Sequence, residues 1–274
     1  MRWEEDREVD EPELEVDSLL QLADKHLMQV QLNGHYRSQS LELIDFSNTY
    51  FYKGKLRVLP DRTIVNRKEP AIFYERVDGI WENQQNEVEA IRCVDRVYKI
   101  CADMPDKSVG VVTFNASQQE LILDLLEEKA RKSNWSIPEN VFVKNIENVQ
   151  GDERDVIIFS IAYAPDKSGK LRHQFGSLNA IGGENRLNVA VTRAREKVII
   201  ITSILPHQLQ TEEVKNDGPR LLKKYLQYAW EVSEGQYVPY ISESRHHSVD
   251  WYLKNKIIEL SKEENYQFEL LEDM

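Results

Sequence analysis

Two runs in this chain, Val156-Ile157-Ile158-Phe159 and Val198-Ile199-Ile200-Ile201, are apolar at every position. Successive side chains of a β-strand point to opposite faces of its sheet, so a run without polar alternation needs cover on both faces. A parallel sheet with helices above and below provides that cover, whereas a sheet with one wet face does not. The rest of the pattern agrees. Strand-like runs are predicted at Ala71–Arg76, Val109–Phe114, Val141–Val143, Asp155–Ala162 and Lys197–Thr202. Helical periodicity covers Leu14–Leu27, Ser40–Tyr50, Asn86–Asp103, Ser117–Ser133, Gly182–Arg193 and Gly218–Val232. Their alternation predicts the α/β class. Residues Asp166–Phe175 are rich in turn formers and read as a surface loop.

A chain of 274 residues is long enough for one large domain and part of another. The predicted divisions are an acidic leader or linker at 1–17, one α/β domain at 18–235, and a linker opening a further domain at 236–274. The net charge of −12 argues at first sight against a nucleic-acid partner. Its distribution weakens that argument, because residues 1–17 hold nine acids against two arginines and residues 251–274 six acids against three lysines. The nearly neutral stretch between them has room for a local basic groove. The apolar runs are far too short to span a bilayer, and Met1-Arg2-Trp3-Glu4-Glu5-Asp6 has no apolar segment of a secretory signal. A cytoplasmic protein is the expectation. Cys93 and Cys101 fall in one predicted helix, about 12 Å apart along its axis, too far to bridge. No Cys/His spacing suits zinc, the His246-His247 doublet reads as solvated surface, and no metal ligand is assigned.

Three segments carry chemistry. The first is His35-Tyr36-Arg37-Ser38, followed by Ile44, Phe46, Asn48, Phe51-Tyr52 and Leu56; the second is Val109-Gly110-Val111-Val112-Thr113-Phe114-Asn115-Ala116-Ser117-Gln118-Gln119. The third runs from Asn145-Ile146-Glu147-Asn148-Val149-Gln150-Gly151-Asp152-Glu153-Arg154-Asp155 to Arg186-Leu187-Asn188-Val189-Ala190-Val191-Thr192-Arg193-Ala194-Arg195. In this order and spacing they resemble the C-terminal motor motifs of superfamily 1 helicases. The nearest likeness is to the subgroup of the nonsense-mediated-decay RNA helicase and the replication helicase-nucleases. The resemblance covers about residues 30–203. It implies a RecA-like α/β fold, ATP with Mg2+, single-stranded DNA or RNA as partner, and movement from 5′ to 3′.

Phosphoryl transfer from ATP spreads negative charge over the γ-phosphate oxygens, and a planar guanidinium stabilises that charge with paired hydrogen bonds. The resemblance gives this arginine-finger role to Arg37 and Arg193, reaching the nucleotide across a cleft between two domains. Tyr36 is a core aromatic or, by resemblance, a ring stacked on adenine. Gly151 and Glu153 face phosphate and ribose by resemblance, while Asn145 and Gln150 link that site to the bound strand. From the residues alone, Gln150-Gly151-Asp152-Glu153 is a turn with an acidic tip. Thr113 and Asn115 stand at the C-terminal end of a predicted strand, the edge where α/β sheets bind ligands, and their family counterparts hold the nucleic-acid backbone. Here the sequence departs from much of the family, which has proline or an aromatic where Phe114-Asn115-Ala116 stands. Gln118 is a third contact or merely the first turn of the next helix. Arg154 and Arg195 read as ordinary salt-bridge residues.

No Gly-x-x-x-x-Gly-Lys-Ser/Thr loop occurs; Gly54-Lys55 and Gly169-Lys170 lack both the upstream glycine and the following Ser/Thr. Without that lysine and an acidic Mg2+ ligand, nucleotide is held weakly at best. The implied partner is therefore a first RecA-like domain of the same protein, expected upstream of Met1, and the chain by itself is not expected to turn over ATP. The same absence also fits a degenerate helicase half that serves as a non-catalytic binding or scaffold module. Trp251–Met274 resembles the opening of a restriction-endonuclease-like domain, or else is a capping helix.

Overall fold

The two apolar runs lie side by side at the centre of the sheet. In the computed structural model, which describes residues 19–28, 33–58 and 69–237, the main strands are β1 (Ile72–Arg76), β2 (Val109–Thr113), β3 (Val141–Asn145), β4 (Arg154–Ser160) and β5 (Ala194–Thr202). They form one five-stranded sheet in the order β1-β5-β4-β2-β3, parallel throughout. Ile157 of β4 is opposite Val198 of β5, and Ile158 opposite Ile199. The helices are α1 (Leu19–His26), α2 (Asp45–Tyr50), α3 (Glu87–Asp103), α4 (Ala116–Ser133), α5 (Gly183–Val191) and α6 (Asp217–Ser233).

The unbroken hydrophobicity divides by face. Val156 and Ile158 pack with Ile199 and Ile201 against Cys93, Val97 and Ile100 of α3 and Ile122 and Leu126 of α4. Ile157 and Phe159 pack with Val198 and Ile200 against Leu187 and Ala190 of α5 and Leu222, Tyr225 and Leu226 of α6. Burying one such side chain contributes roughly 1.5–3 kcal/mol, so alternation would have left one layer without a core. This is an α/β architecture of one parallel sheet with helices on both faces.

In α3 the buried Ala90, Cys93, Val94, Val97, Ile100 and Cys101 recur three or four residues apart on one face. Its N-cap is Asn86, whose side chain accepts from the Glu89 N–H. Cys93 and Cys101 are buried free thiols, pushed up from the ordinary thiol value chiefly by burial.

The predicted helix over Ser40–Tyr50 is interrupted. Leu41–Leu43 is a 3-10 turn and α2 starts only at Asp45. All six residues from Leu43 to Asn48 are buried, more than one face of a continuous helix presents, and the break at Ile44 re-aims the chain. The expected loop at Asp166–Phe175 holds a small antiparallel ladder pairing Ala164–Pro165 with Leu171–Arg172. The Asp166 carboxylate ties it together by accepting from Ser168 N–H at 2.8 Å and Arg172 Nε at 2.7 Å.

By contacts the chain divides into residues 1–34 and 35–274. The expected leader at 1–17 and the tail from 238, including His246-His247 and Trp251–Met274, lie outside the described residues. Among the described residues no helix is long and apolar enough to cross a membrane.

Candidate functional site

β4 and β5 enter the sheet together, Arg154 opposite Ala194, so the residues just before each strand become neighbours. Those are Gly151-Asp152-Glu153 and Thr192-Arg193. Residues 35–39 dock on the same edge. The Gln39 N–H donates to the Arg195 carbonyl at 2.8 Å, and the Ser38 hydroxyl donates to the Ala194 carbonyl at 3.4 Å. His35 Nε2 accepts from the Ser38 N–H at 3.0 Å, closing the turn that aims Arg37.

Two guanidinium groups meet there on one carboxylate, and a third stands close enough for its charge to be felt. Arg37 Nε donates to Glu153 Oε2 at 2.7 Å, and Arg195 Nη2 lies 3.2 Å from Glu153 Oε1. Arg193 is held from behind, its Nε donating to the Val189 carbonyl at 2.8 Å and its Nη1 to the Asp152 carbonyl at 3.2 Å. The charges register one another. Glu153 is held below the ordinary carboxyl range first by the Arg37 hydrogen bond, and then, against the opposing pull of desolvation, by the charges of Arg195, Arg37 and Arg193. Arg193 is lowered first by burial and then by repulsion from Arg37, and His35 is lowered by burial and then by the Arg37 charge. Arg37 and Arg193 thus share one edge of the sheet.

The other nucleotide-side residues fall beside them. Gly151 has φ of +88° with open space where a Cβ would stand, a left-handed turn that glycine adopts without strain. Tyr36 is 87% exposed, which rules out the core aromatic. The Asn188 side-chain amide donates to the Tyr52 hydroxyl at 3.3 Å, and the Arg193 charge feels Tyr52.

Of the residues expected to hold a strand, Thr113, Asn115, Gln118 and Asn145 lie at the opposite edge, about 16 Å away along five strand residues, and Gln150 lies next to Gly151. Thr113 ends β2 and pairs in register with Asn145 at the end of β3. Asn115 caps α4, its side chain accepting from the Gln118 N–H at 2.7 Å. Asn145 is half-buried and Gln150 exposed. Two expected contacts need correction. Gln118 is fully buried, its Oε1 accepting from the Asn86 N–H at 2.8 Å and its Nε2 donating to the Asn86 carbonyl and the Ser160 hydroxyl, each at 3.0 Å. It belongs to the first turn of α4 and has no surface to offer a strand. Thr113 is also fully buried, its hydroxyl donating to the Asn115 carbonyl at 2.9 Å.

Residues 146–153 join the two edges without a helix, anchored by Ile146 and Val149, both buried in the core. Asn145 starts this connector and Glu153 ends it. Arg195, read from sequence as an ordinary salt-bridge residue, pairs with Asp155 at 3.5 Å and also with Glu153. The available signal was its spacing, since residues two apart on a strand share a face. Arg154 donates instead to the carbonyls of Asn140 and Glu153 and lies over the Phe142 ring.

The Arg37–Glu153 pair is partly exposed, 24% and 38% on its two side chains, so after solvent screening it contributes little to stability. Glu153→Gln is expected to shift the melting temperature by about 2 °C or less at neutral pH. Because the folded carboxyl lies below its ordinary value of 4.5, its contribution is present above that pH and lost as pH falls through the folded value. The acid limb of thermal melts run from pH 3 to 7 should therefore flatten in the variant. A large loss at neutral pH would make Glu153 a structural residue.

Comparisons with known proteins bear on the family of the chain. The family described as "AAA domain" matches residues 15–204. The "Uncharacterized ATP-dependent helicase MG140" of Mycoplasma genitalium is 36% identical over 215 residues, 75% of this chain and 19% of that protein. "Regulator of nonsense transcripts 1" of Caenorhabditis elegans is 25% identical over 187 residues, covering 62% and 17%. A solved C-terminal domain of a possible DNA helicase from Lactobacillus plantarum WCFS1 aligns with TM-score 0.37 and 16% identity, covering 61% of this chain and 86% of that one. The chain spans about a fifth of the length of the mycoplasma relative. By the family match, the chain belongs to the AAA-domain family.

Proposed function

We propose that this chain is the C-terminal motor half of an ATP-dependent nucleic-acid helicase or translocase acting in the cytoplasm, that it supplies arginine fingers and part of the single-strand groove, and that it does not hydrolyse ATP alone. The observation that carries this reading is the pairing of Arg37 and Arg195 on Glu153 with Arg193 close by, beside an open glycine turn and the exposed Tyr36 ring. Three guanidinium groups grouped at one edge suit a polyphosphate. In this reading Mg2+ is held by the first motor domain. Mg2+ would there offset charge on the phosphates.

In this reading Arg37 exchanges the Glu153 carboxylate for γ-phosphate oxygens when the two domains close, and Glu153 turns to the ribose. Arg193, already fixed by the Val189 and Asp152 carbonyls, approaches the same oxygens with little reorganisation. Tyr36 stacks on the adenine. Asn115, Asn145 and Gln150 hold the strand through its phosphates, contacts that carry no sequence information and so are usable at every step. The connector 146–153 transmits closure from one edge to the other.

The test joins this chain to a first RecA-like domain carrying a phosphate loop and measures ATP hydrolysis with and without single-stranded DNA and RNA. Turnover stimulated by one of them, and absent from the chain alone, is the expected result. A joined protein that binds single strands but never hydrolyses ATP would instead be a non-catalytic binding module.

A further inference from the structure

Beneath the nucleic-acid edge lies a polar cluster that the nucleotide chemistry does not use. Glu89, in the first turn of α3, is fully buried. Its Oε2 accepts from the Ala162 N–H at 2.6 Å and the Ser160 hydroxyl at 3.2 Å, and its Oε1 from Asn86 Nδ2 and the Ser203 hydroxyl, each at 3.0 Å. The hydroxyl directions follow from the remaining bonds. Ser203 Oγ accepts from the Gly79 N–H at 3.2 Å and Asn86 Nδ2 at 2.9 Å, and Ser160 Oγ accepts from Gln118 Nε2, so each hydroxyl hydrogen is left for Glu89. All four partners donate.

Full burial pushes the Glu89 carboxyl up, and the Ala162 N–H and the two serine hydroxyls pull it the other way; with four neighbours donating and none left to accept a carboxyl hydrogen, the geometry favours the ionised form. The titratable groups that feel its charge are Cys93, one turn along α3, and Tyr74 of β1. A buried carboxylate without a cation is a poor way to gain stability. What it does achieve is connection, because its donors stand just past the end of β5, at the end of β4 and at the N-terminus of α3. Gln118 extends the network to α4, and the Gln118 N–H donates to Asn115. Ala162 has φ of +66°, a left-handed conformation costly for alanine, and it is this residue's N–H that the carboxylate captures.

We propose that Glu89 is a positioning residue of the nucleic-acid edge, whose buried carboxylate fixes the ends of β4 and β5 and the first turns of α3 and α4 so that Asn115 meets the strand in one orientation. This rests on the function proposed above. In the full-length protein, Glu89→Gln keeps the volume and removes the all-acceptor group. The concentration of oligo(dT) or poly(U) giving half-maximal ATPase stimulation should rise about tenfold, with the KM for ATP within about twofold. Hydrogen exchange of the ligand-free protein should quicken at residues 113–118 and 160–163 and stay unchanged at 151–154. Ser203→Ala, which removes one donor and leaves the carboxylate, should act in the same direction more weakly and serves if the glutamine variant does not fold. Equal movement of both half-saturation values, or unchanged exchange at 113–118, overturns the positioning role. Absence of stimulation in the wild type by either strand counts against the functional reading instead, and the exchange pattern then decides the positioning role by itself.

Discussion

Arg193→Ala in the full-length protein is expected to lower nucleic-acid-stimulated ATP hydrolysis by about a thousandfold or more while nucleotide affinity changes little. The size follows from where the residue acts. A finger meets charge that develops in the transition state, so its loss appears in turnover more than in binding. Its placement supports the same conclusion, because the backbone carbonyls of Val189 and Asp152 hold Arg193, with no carboxylate at hydrogen-bonding distance among the described residues. The guanidinium is oriented but its charge is not spent. Arg193→Lys should recover little, since an ammonium presents no planar pair of donors. Stopped-flow turnover beside equilibrium binding of a fluorescent ATP analogue separates the two quantities. Turnover that survives in both variants would remove Arg193 from the catalytic assignment.

The second large effect is structural. Gly183→Ala should lower stability by roughly 3 kcal/mol, about 6–12 °C in melting temperature. A Cβ at Gly183 would lie closer than 3.0 Å to the carbonyl oxygen, the carbonyl carbon and Cα of Leu178. Gly218, at the start of α6, approaches the same Leu178 oxygen equally closely. The starts of two helices therefore close on one buried peptide that has nowhere to move. Gly182→Ala is the control. Its φ of +75° makes alanine strained, but the nearest atom is the Asn185 amide nitrogen at 3.8 Å. That variant should lose only about 1 kcal/mol. Chemical denaturation of both ranks them, and equal losses would mean that backbone angle, not space, sets the cost. Because α5 runs directly into Thr192 and Arg193, a displaced α5 should also shift the Arg193 guanidinium.

Much of this molecule was legible in its residues. The runs Val156–Phe159 and Val198–Ile201 determined a sheet covered on both faces, since no other arrangement buries every side chain of such a strand. By resemblance, motif order put Arg37 and Arg193 in one nucleotide site; the structure shows the two near one another at one edge of the sheet. Local signals failed where a residue's surroundings come from distant segments. Gln118 looked like a surface contact because its position in the first turn of α4 says nothing about Asn86 and Ser160, which enclose it. Glu89 carried only the mark of a helix start, Asn86 three residues ahead of it, and its burial depends on Ser160, Ala162 and Ser203 arriving from β4 and β5. Arg195 looked like one more salt bridge until Glu153, 42 positions earlier, was seen to be shared with Arg37. Periodicity and motif order are properties of neighbouring residues and survive in a linear string, so sheet, layers and family were set there. Which polar groups are enclosed, and which charges meet, depends on packing between segments far apart in sequence, and only the tertiary structure decided that.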